Sequence, residues 1–351
     1  RGRPACGQQR RRAPVGWGAM RRVTPLAVIG LLAILLIVSD HPFPPPSEPD
    51  RESRTAVVAL GDSTMSGEGA GSYERGTDGE DGGNWCHRST QASIMKTRIQ
   101  ADQKINLACS GANSDKLRND QLPQLRKIAG ANRVTAVIVA IGANDDPHFA
   151  EVLNKCFEAW GKRSDCTSAV APEWSKRVRR MIPKVENTLN AIRQTMRDSS
   201  YLDSDYQLVV QSYAAPVSPK MPRSLQNLSG CPLRTSDLQW VVEDAVPELS
   251  NGLRTAANKV NARFLDLSRA GEGHEACAGK PETEWFSRLT VDWDGLKNDK
   301  RAPHALQESF HPNALGHEQI GRCLTEFLAS DKRDGACLPK LDGSLGLTTE
   351  G

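Results

Sequence analysis

The apolar run Ala56-Val57-Val58-Ala59-Leu60 ends in Gly61-Asp62-Ser63-Thr64, and this junction constrains the chain more than any other stretch. A short, partly β-branched run closed by glycine reads as a buried strand of a parallel sheet feeding a tight turn. Ser63 then stands at the carboxyl end of a strand, where open α/β sheets bind their ligands. Two further runs end in a similar way. Ile105-Asn106-Leu107-Ala108 leads into Cys109-Ser110-Gly111-Ala112-Asn113, and Val134 to Ile141 leads into Gly142-Ala143-Asn144-Asp145. A late block, Ser309-Phe310-His311-Pro312-Asn313, precedes a stretch of helical character that ends near Leu328.

The rest of the chain alternates in kind. Tyr206 to Ser212 and Ala262 to Leu267 read as a fourth and a fifth strand. Apolar residues recur at helical spacing over Glu173 to Arg197, where Pro183 is expected to break or kink the helix, and over Leu238 to Val260. Residues 88–100 and 119–130 read as crossover helices, Asp145 to Ala171 as an irregular insertion, and the tail beyond Cys337 as loose. Alternating strands and helices with right-handed crossovers imply an α/β fold, a three-layer α/β/α sandwich around a parallel sheet of about five strands. With a flavodoxin-like order, 2-1-3-4-5, Ser63, Gly111 and Asn144 fall on three adjoining strand ends.

Strand–Gly-Asp-Ser, strand–Gly, strand–Gly-x-Asn-Asp and a late His-Pro-Asn, in that order, resemble the SGNH (GDSL-type) serine hydrolases over residues 56 to about 328. The form Gly61-Asp62-Ser63-Thr64-Met65-Ser66-Gly67-Glu68-Gly69, followed by Cys86-His87-Arg88-Ser89, is most similar to secreted actinobacterial esterases and lipases of that family. Ester hydrolysis by a serine needs a nucleophile, a base and donors for the oxyanion. The resemblance implies Ser63 as nucleophile and His311 as general base. The backbone N–H groups of Ser63 and Gly111 and the side-chain amide of Asn144 become the oxyanion donors. Asp62 organises the turn.

The family's usual triad aspartate lies three residues before its histidine, and here that position is Glu308. Some secreted relatives orient the histidine with a backbone carbonyl of the same turn instead, and the sequence leaves both open. No cofactor and no metal are implied, because the oxyanion hole takes the place of a metal. The implied partner is an ester, either a lipid or an acylated glycan, and the implied state is a monomer. Two alternatives remain: an O-acyltransferase passing the acyl group to an envelope glycan or lipid, and an inactive envelope-binding module on the same scaffold. His87 and His317 fall in family-like blocks but read as structural, as does Asp266 at the end of the fifth strand. His41, His148, His274 and His304 carry no motif.

Charge excludes one partner class. Arg1, Arg3, Arg10, Arg11, Arg12, Arg21 and Arg22 precede residue 23 with no acid among them, so taking those seven from the net +3 leaves −4 for residues 23–351. The folded part is slightly acidic, and nucleic-acid binding is not expected. Residues 1–22 read as a basic tail. Val23 to Ser39 is uncharged and as a helix spans about 25 Å, which fits a signal peptide or a membrane anchor. Residues 40–54 read as a proline-rich linker, 55–338 as the hydrolase domain and 339–351 as a flexible tail. Gly67 to Gly83 is a loop beside the nucleophile. Its Glu68, Glu74, Asp78, Glu80 and Asp81, with no lysine, would repel phosphate, so a phosphate-cradling loop is excluded.

Export would permit disulfides. Eight of the nine cysteines follow residue 85, and no Cys-x-x-Cys pair suggests a structural zinc site. Spacing alone does not settle the pairing. The resemblance implies sequential bridges: Cys86–Cys109, Cys156–Cys166, Cys231–Cys277 and Cys323–Cys337.

Overall fold

The computed structural model describes residues 54–79, 83–292 and 304–348. The basic stretch 1–22, the apolar run 23–39 and the proline-rich segment to residue 53 lie outside the described residues. Among the described residues no helix is long and apolar enough to cross a membrane.

Among the described residues seven strands form one sheet: β1 (Thr55–Gly61), β2 (Gln103–Asn106), β3 (Arg133–Ala140), β4 (Gln207–Gln211), β5 (Arg263–Asp266), β6 (Asp334–Pro339) and β7 (Leu345–Thr348). The order is β2-β1-β3-β4-β5-β6-β7, and only the β6–β7 pair is antiparallel. The first five strands keep the 2-1-3-4-5 order. Val57, Val58, Leu60, Val137, Ile138 and Val139 are fully buried, because helices cover both faces of a parallel sheet. Each such side chain stabilises the fold by about 1.5–3 kcal/mol relative to exposure.

The principal helices are α1 (Ser63–Ser66), α2 (Ser93–Lys96), α3 (Leu122–Ala131), α4 (Phe149–Gly161), α5 (Thr167–Asp198), α6 (Val246–Lys259) and α7 (Ala314–Ala329). Helix α5 packs against α3 and α6, while α7 packs against α2 and β7.

Four expectations change. Residues 88–100 form only the single turn α2, because the chain beyond it is held extended against α7, where the Arg98 N–H donates to Thr325 Oγ1 at 2.9 Å. Asp145 to Ala171 is not irregular. It carries α4, whose Val152, Cys156 and Ala159 are buried at helical spacing, and the start of α5, whose Cys166 and Thr167 N–H groups are capped by Asp237. Pro183 does not interrupt α5. It sits on the exposed face with Arg179, whose freed carbonyl can meet water, while Val178, Met181, Val185 and Leu189 continue the buried stripe.

The tail is not loose as far as Thr348. It adds the hairpin β6–β7 to the sheet edge, so the ordered domain passes residue 338. Side chains of α7 occupy outward-facing N–H groups of this last strand: Gln319 Oε1 accepts from Leu345 at 3.0 Å and Glu326 Oε2 from Leu347 at 2.7 Å. Covering an edge in this way removes a template for further pairing.

Candidate active site

The turn after β1 depends on glycine. Gly61 has φ +137°, and a Cβ there would lie 2.0 Å from the Ala140 carbonyl oxygen, so only glycine lets β1 approach β3 at this point. The peptide groups of Gly61 are held by the Gln121 side chain, which accepts from the Gly61 N–H at 2.9 Å and donates to its carbonyl at 2.8 Å. Asp62 then caps α1, accepting the Thr64 N–H at 3.2 Å. Its other oxygen accepts from the Tyr213 hydroxyl, which also accepts from the Ala143 N–H at 3.4 Å. A buried polar bridge therefore links the Ser63 turn to the Asn144 turn. Burial pushes the Asp62 carboxyl up to about 7, against the lowering effect of the hydrogen bonds from Tyr213 and Thr64.

Ser63 opens α1, where a first-turn N–H has no intrahelical acceptor. Its Oγ lies 2.8 Å from His311 Nε2, 248 residues along the chain. Gly111 is exposed with φ +72° and open space where a Cβ would stand. Asn144 uses one amide hydrogen on the Ala112 carbonyl at 3.0 Å, which ties it to the Gly111 loop and leaves the other hydrogen to donate. The Cys86–Cys109 disulfide anchors the same loop. The other bridges are Cys156–Cys166, Cys231–Cys277 and Cys323–Cys337, the pairs that the family resemblance implies.

His311 is presented by a turn stapled to residues 284–290. Ser287 donates to the His311 carbonyl at 2.9 Å and accepts from the Phe310 N–H at 3.0 Å, and Asn313 donates to the Trp285 carbonyl at 2.9 Å. Asn313 also caps α7 by accepting the Gly316 N–H at 2.9 Å. Phe310 takes φ +61°, a left-handed conformation unfavourable for a bulky residue and the kind of local strain found at functional sites.

Glu308 makes no hydrogen bond to His311 in this geometry. Its carboxylate accepts from the Tyr73 hydroxyl at 2.7 Å, and His311 Nδ1 is buried without a hydrogen-bond partner among the described residues. Glu308 lines a cleft of about 400 Å³ together with Tyr73, Trp85, His87, Thr290 and His304. Burial lowers the His311 pKa, while the Glu68 charge and the backbone carbonyls of Ser309 and Gln307 favour the protonated ring. Those two carbonyls belong to the turn that presents His311.

Sequence reasoning missed Glu68, Tyr73, Gln121, Tyr213 and Gln307. None carries a motif, and each acts through a partner distant in sequence. Glu68, His87 and Glu308 bring possible ligand atoms within 4.8 Å of one another. Those groups already bond internally, Glu68 to His87, Ser110 and Gln307, and Glu308 to Tyr73. The second such cluster among the described residues, Cys156, Cys166 and Asp237, contains a disulfide and so offers no thiolates.

The remaining residues singled out by the sequence fall outside this arrangement. His317 is buried and accepts the Ser93 N–H at Nδ1, 3.1 Å away, and burial brings its pKa down to about 4. His274 stacks on Trp285, His304 stacks on Trp85, and exposed His148 precedes α4. Asp266 is held by Ser212, Ser250 and Arg254, away from Ser63 and His311. His41 lies outside the described residues.

Comparison with known proteins places the chain in a family. The model of the GDSL-like lipase/acylhydrolase family matches residues 59–319. A curated relative from Streptomyces coelicolor, Lipase 2, is 24% identical over 327 residues, covering 89% of this chain and 99% of the relative. The fold is similar to that of an extracellular lipase from Streptomyces rimosus, with a TM-score of 0.52 at 22% identity over 76% of this chain and 97% of that one. A phospholipase A1 from Streptomyces albidoflavus gives a TM-score of 0.51 at 23% identity, over 76% and 95%.

Proposed function

Because this chain belongs to the GDSL-like lipase/acylhydrolase family, we propose that it hydrolyses carboxylic esters through an acyl intermediate on Ser63. The observation that carries this reading is the 2.8 Å contact between Ser63 Oγ and His311 Nε2, made by the ends of two unrelated segments. In the first half-reaction Ser63 Oγ attacks the acyl carbonyl and its proton passes to Nε2. The tetrahedral oxyanion accepts hydrogen bonds from the N–H groups of Ser63 and Gly111 and from the Asn144 amide. Collapse expels the alcohol, which takes the proton from Nε2. Water, deprotonated by the same nitrogen, then releases the acid and restores Ser63.

For His311 to accept a proton at Nε2, its Nδ1 must carry hydrogen; the carbonyls of Ser309 and Gln307 favour the protonated ring, but Nδ1 makes no hydrogen bond in this geometry. No side-chain acid bonds the imidazole at Nδ1 in this geometry. The lowered His311 pKa keeps the ring neutral, and available as a base, at physiological pH.

An exported enzyme suits these features. Four disulfides persist in oxidising compartments, and the apolar run 23–39 would supply the export signal. The similar Streptomyces rimosus enzyme is itself extracellular.

The test is turnover of a chromogenic acyl ester, with and without an added alcohol. Hydrolysis by the wild type and a fall of about 10⁴-fold or more in Ser63→Ala supports the reading. Turnover retained in Ser63→Ala overturns it, and transfer to the alcohol faster than hydrolysis replaces it with the acyltransferase.

A further inference from the structure

We propose that Glu68 is the positioning residue of this site, a buried anion that balances His311 and ties together the three loops that carry Ser63, Gly111 and His311. The inference rests on the Ser63–His311 pair described above. Glu68 is fully buried at the end of the nucleophile turn, and its own N–H donates to the Ser63 carbonyl at 3.1 Å. Its carboxylate takes hydrogen bonds from different segments. His87 Nδ1 lies 2.7 Å away, and Gln307 Nε2, four residues before His311, lies 2.6 Å away. The third donor is the hydroxyl of Ser110, next to Gly111.

The Gln307 amide is itself set by His304 Nδ1, 2.6 Å from its oxygen, so its nitrogen is turned to Glu68. The segment also packs against the backbone side of His311. Gly69 has φ +83°, and a Cβ there would stand 3.0 Å from both His311 Cβ and the Pro312 carbonyl oxygen.

A buried carboxylate with this many donors stays ionised. Burial pushes Glu68 up, but the hydrogen bonds from His87 and Ser110 and the charges of His311 and His87 outweigh it and hold the group below its ordinary value. Among the influences that favour protonated His311, Glu68 comes first, ahead of the Ser309 and Gln307 carbonyls and of Glu308. Other titratable groups face the pair: Tyr73, stacked on His87 and bonded to Glu308, and His317, which is buried and close enough to feel the His311 charge. His317 does not carry charge near neutral pH, and Tyr73 is raised by burial, so neither supplies the anion. Proton transfer from Ser63 creates an imidazolium, and a fixed negative charge stabilises that state more than the neutral one.

The experiment is the pH dependence of kcat and kcat/KM on a soluble acyl ester, using the oxidised full chain. Glu68→Gln keeps the side-chain volume and removes the charge. The expected result is a roughly tenfold to hundredfold fall in kcat with KM within about twofold, and an acidic limb moved to lower pH. Glu68→Asp is expected to restore part of the rate and the wild-type limb. Wild-type kcat and an unmoved limb in Glu68→Gln overturn the proposal, as does a loss of rate with the limb unmoved.

If Glu68→Gln fails to fold, Gln307→Leu carries the test by cutting the link from the histidine turn. A severalfold fall in kcat at unchanged KM supports the proposal and wild-type kcat overturns it. Wild type that does not react with a fluorophosphonate overturns the Ser63–His311 reading itself, whereas a reactive wild type with an indifferent Glu68→Gln overturns this inference alone.

Discussion

The carboxyl edge of the sheet and the loop layer above it position their groups by different means. Ser63, Gly111 and Asn144 lie just beyond the ends of three adjacent strands, and two of the three oxyanion donors proposed above are main-chain N–H groups. His311 sits on a turn without regular structure, held by hydrogen bonds to residues 284–290 and by Gln307 reaching Glu68. Strand ends are placed by register and by buried apolar surface. A loop is placed by buried polar pairs, each of which costs free energy when one partner is lost. On the proposed reading, the electrophile-stabilising half of the site is built into the fold, while the proton-transferring half depends on a network spread along the chain.

This contrast can be sharpened by substitution. On the strand side, Asn144→Ala removes a single donor and is expected to lower kcat about a hundredfold or more with little effect on KM, measured by steady-state hydrolysis of an activated ester. An effect below about threefold would place Asn144 outside the oxyanion hole. On the loop side, Glu308→Gln should cost less than about threefold in kcat, because its carboxylate bonds Tyr73 and not His311. A loss approaching that of His311→Ala would restore Glu308 as the acid.

The smallest effect lies beneath the strand edge. Asp62 in the folded state titrates at about 7 against an unfolded value of 3.8, so the folded protein binds more protons between these limits. Its contribution to stability is present below about pH 4 and is lost as pH rises through 7. Asp62→Asn removes that linkage while keeping an acceptor for the Thr64 N–H. The Tm of Asp62→Asn minus that of the wild type should therefore rise from pH 4 to 7 and level off above. A difference independent of pH would show that Asp62 does not titrate in this window.

The same division governs what could be read from the sequence. Runs such as Val134 to Ile141 announce buried strands, and the residues after their glycines locate one side of the site. His311 was legible from its Pro312-Asn313 context, since Asn313 caps α7. Glu68 looked like one acid among five in a glycine-rich loop, and nothing local distinguishes it. Its burial follows from His87, Ser110 and Gln307, which only the folded chain assembles. The Glu308 carboxylate meets Tyr73 and not His311, because chain spacing fixes where a residue starts and not where its carboxylate ends. The β6–β7 hairpin was missed for a related reason, as its edge is completed by Gln319 and Glu326 of α7. Propensity also overstated Pro183, which does no harm on a solvent-facing turn of α5.

The central claim is that Ser63 and His311 form a working pair without a side-chain acid. Fluorophosphonate labelling of a soluble chain from about residue 50 tests it most directly, with the adduct located by mass and compared among wild type, Ser63→Ala, His311→Ala and Glu308→Ala. The account predicts a wild-type adduct on Ser63, none in Ser63→Ala or His311→Ala, and near-wild-type labelling in Glu308→Ala. Labelling lost in Glu308→Ala, or absent from folded and oxidised wild type, would contradict it.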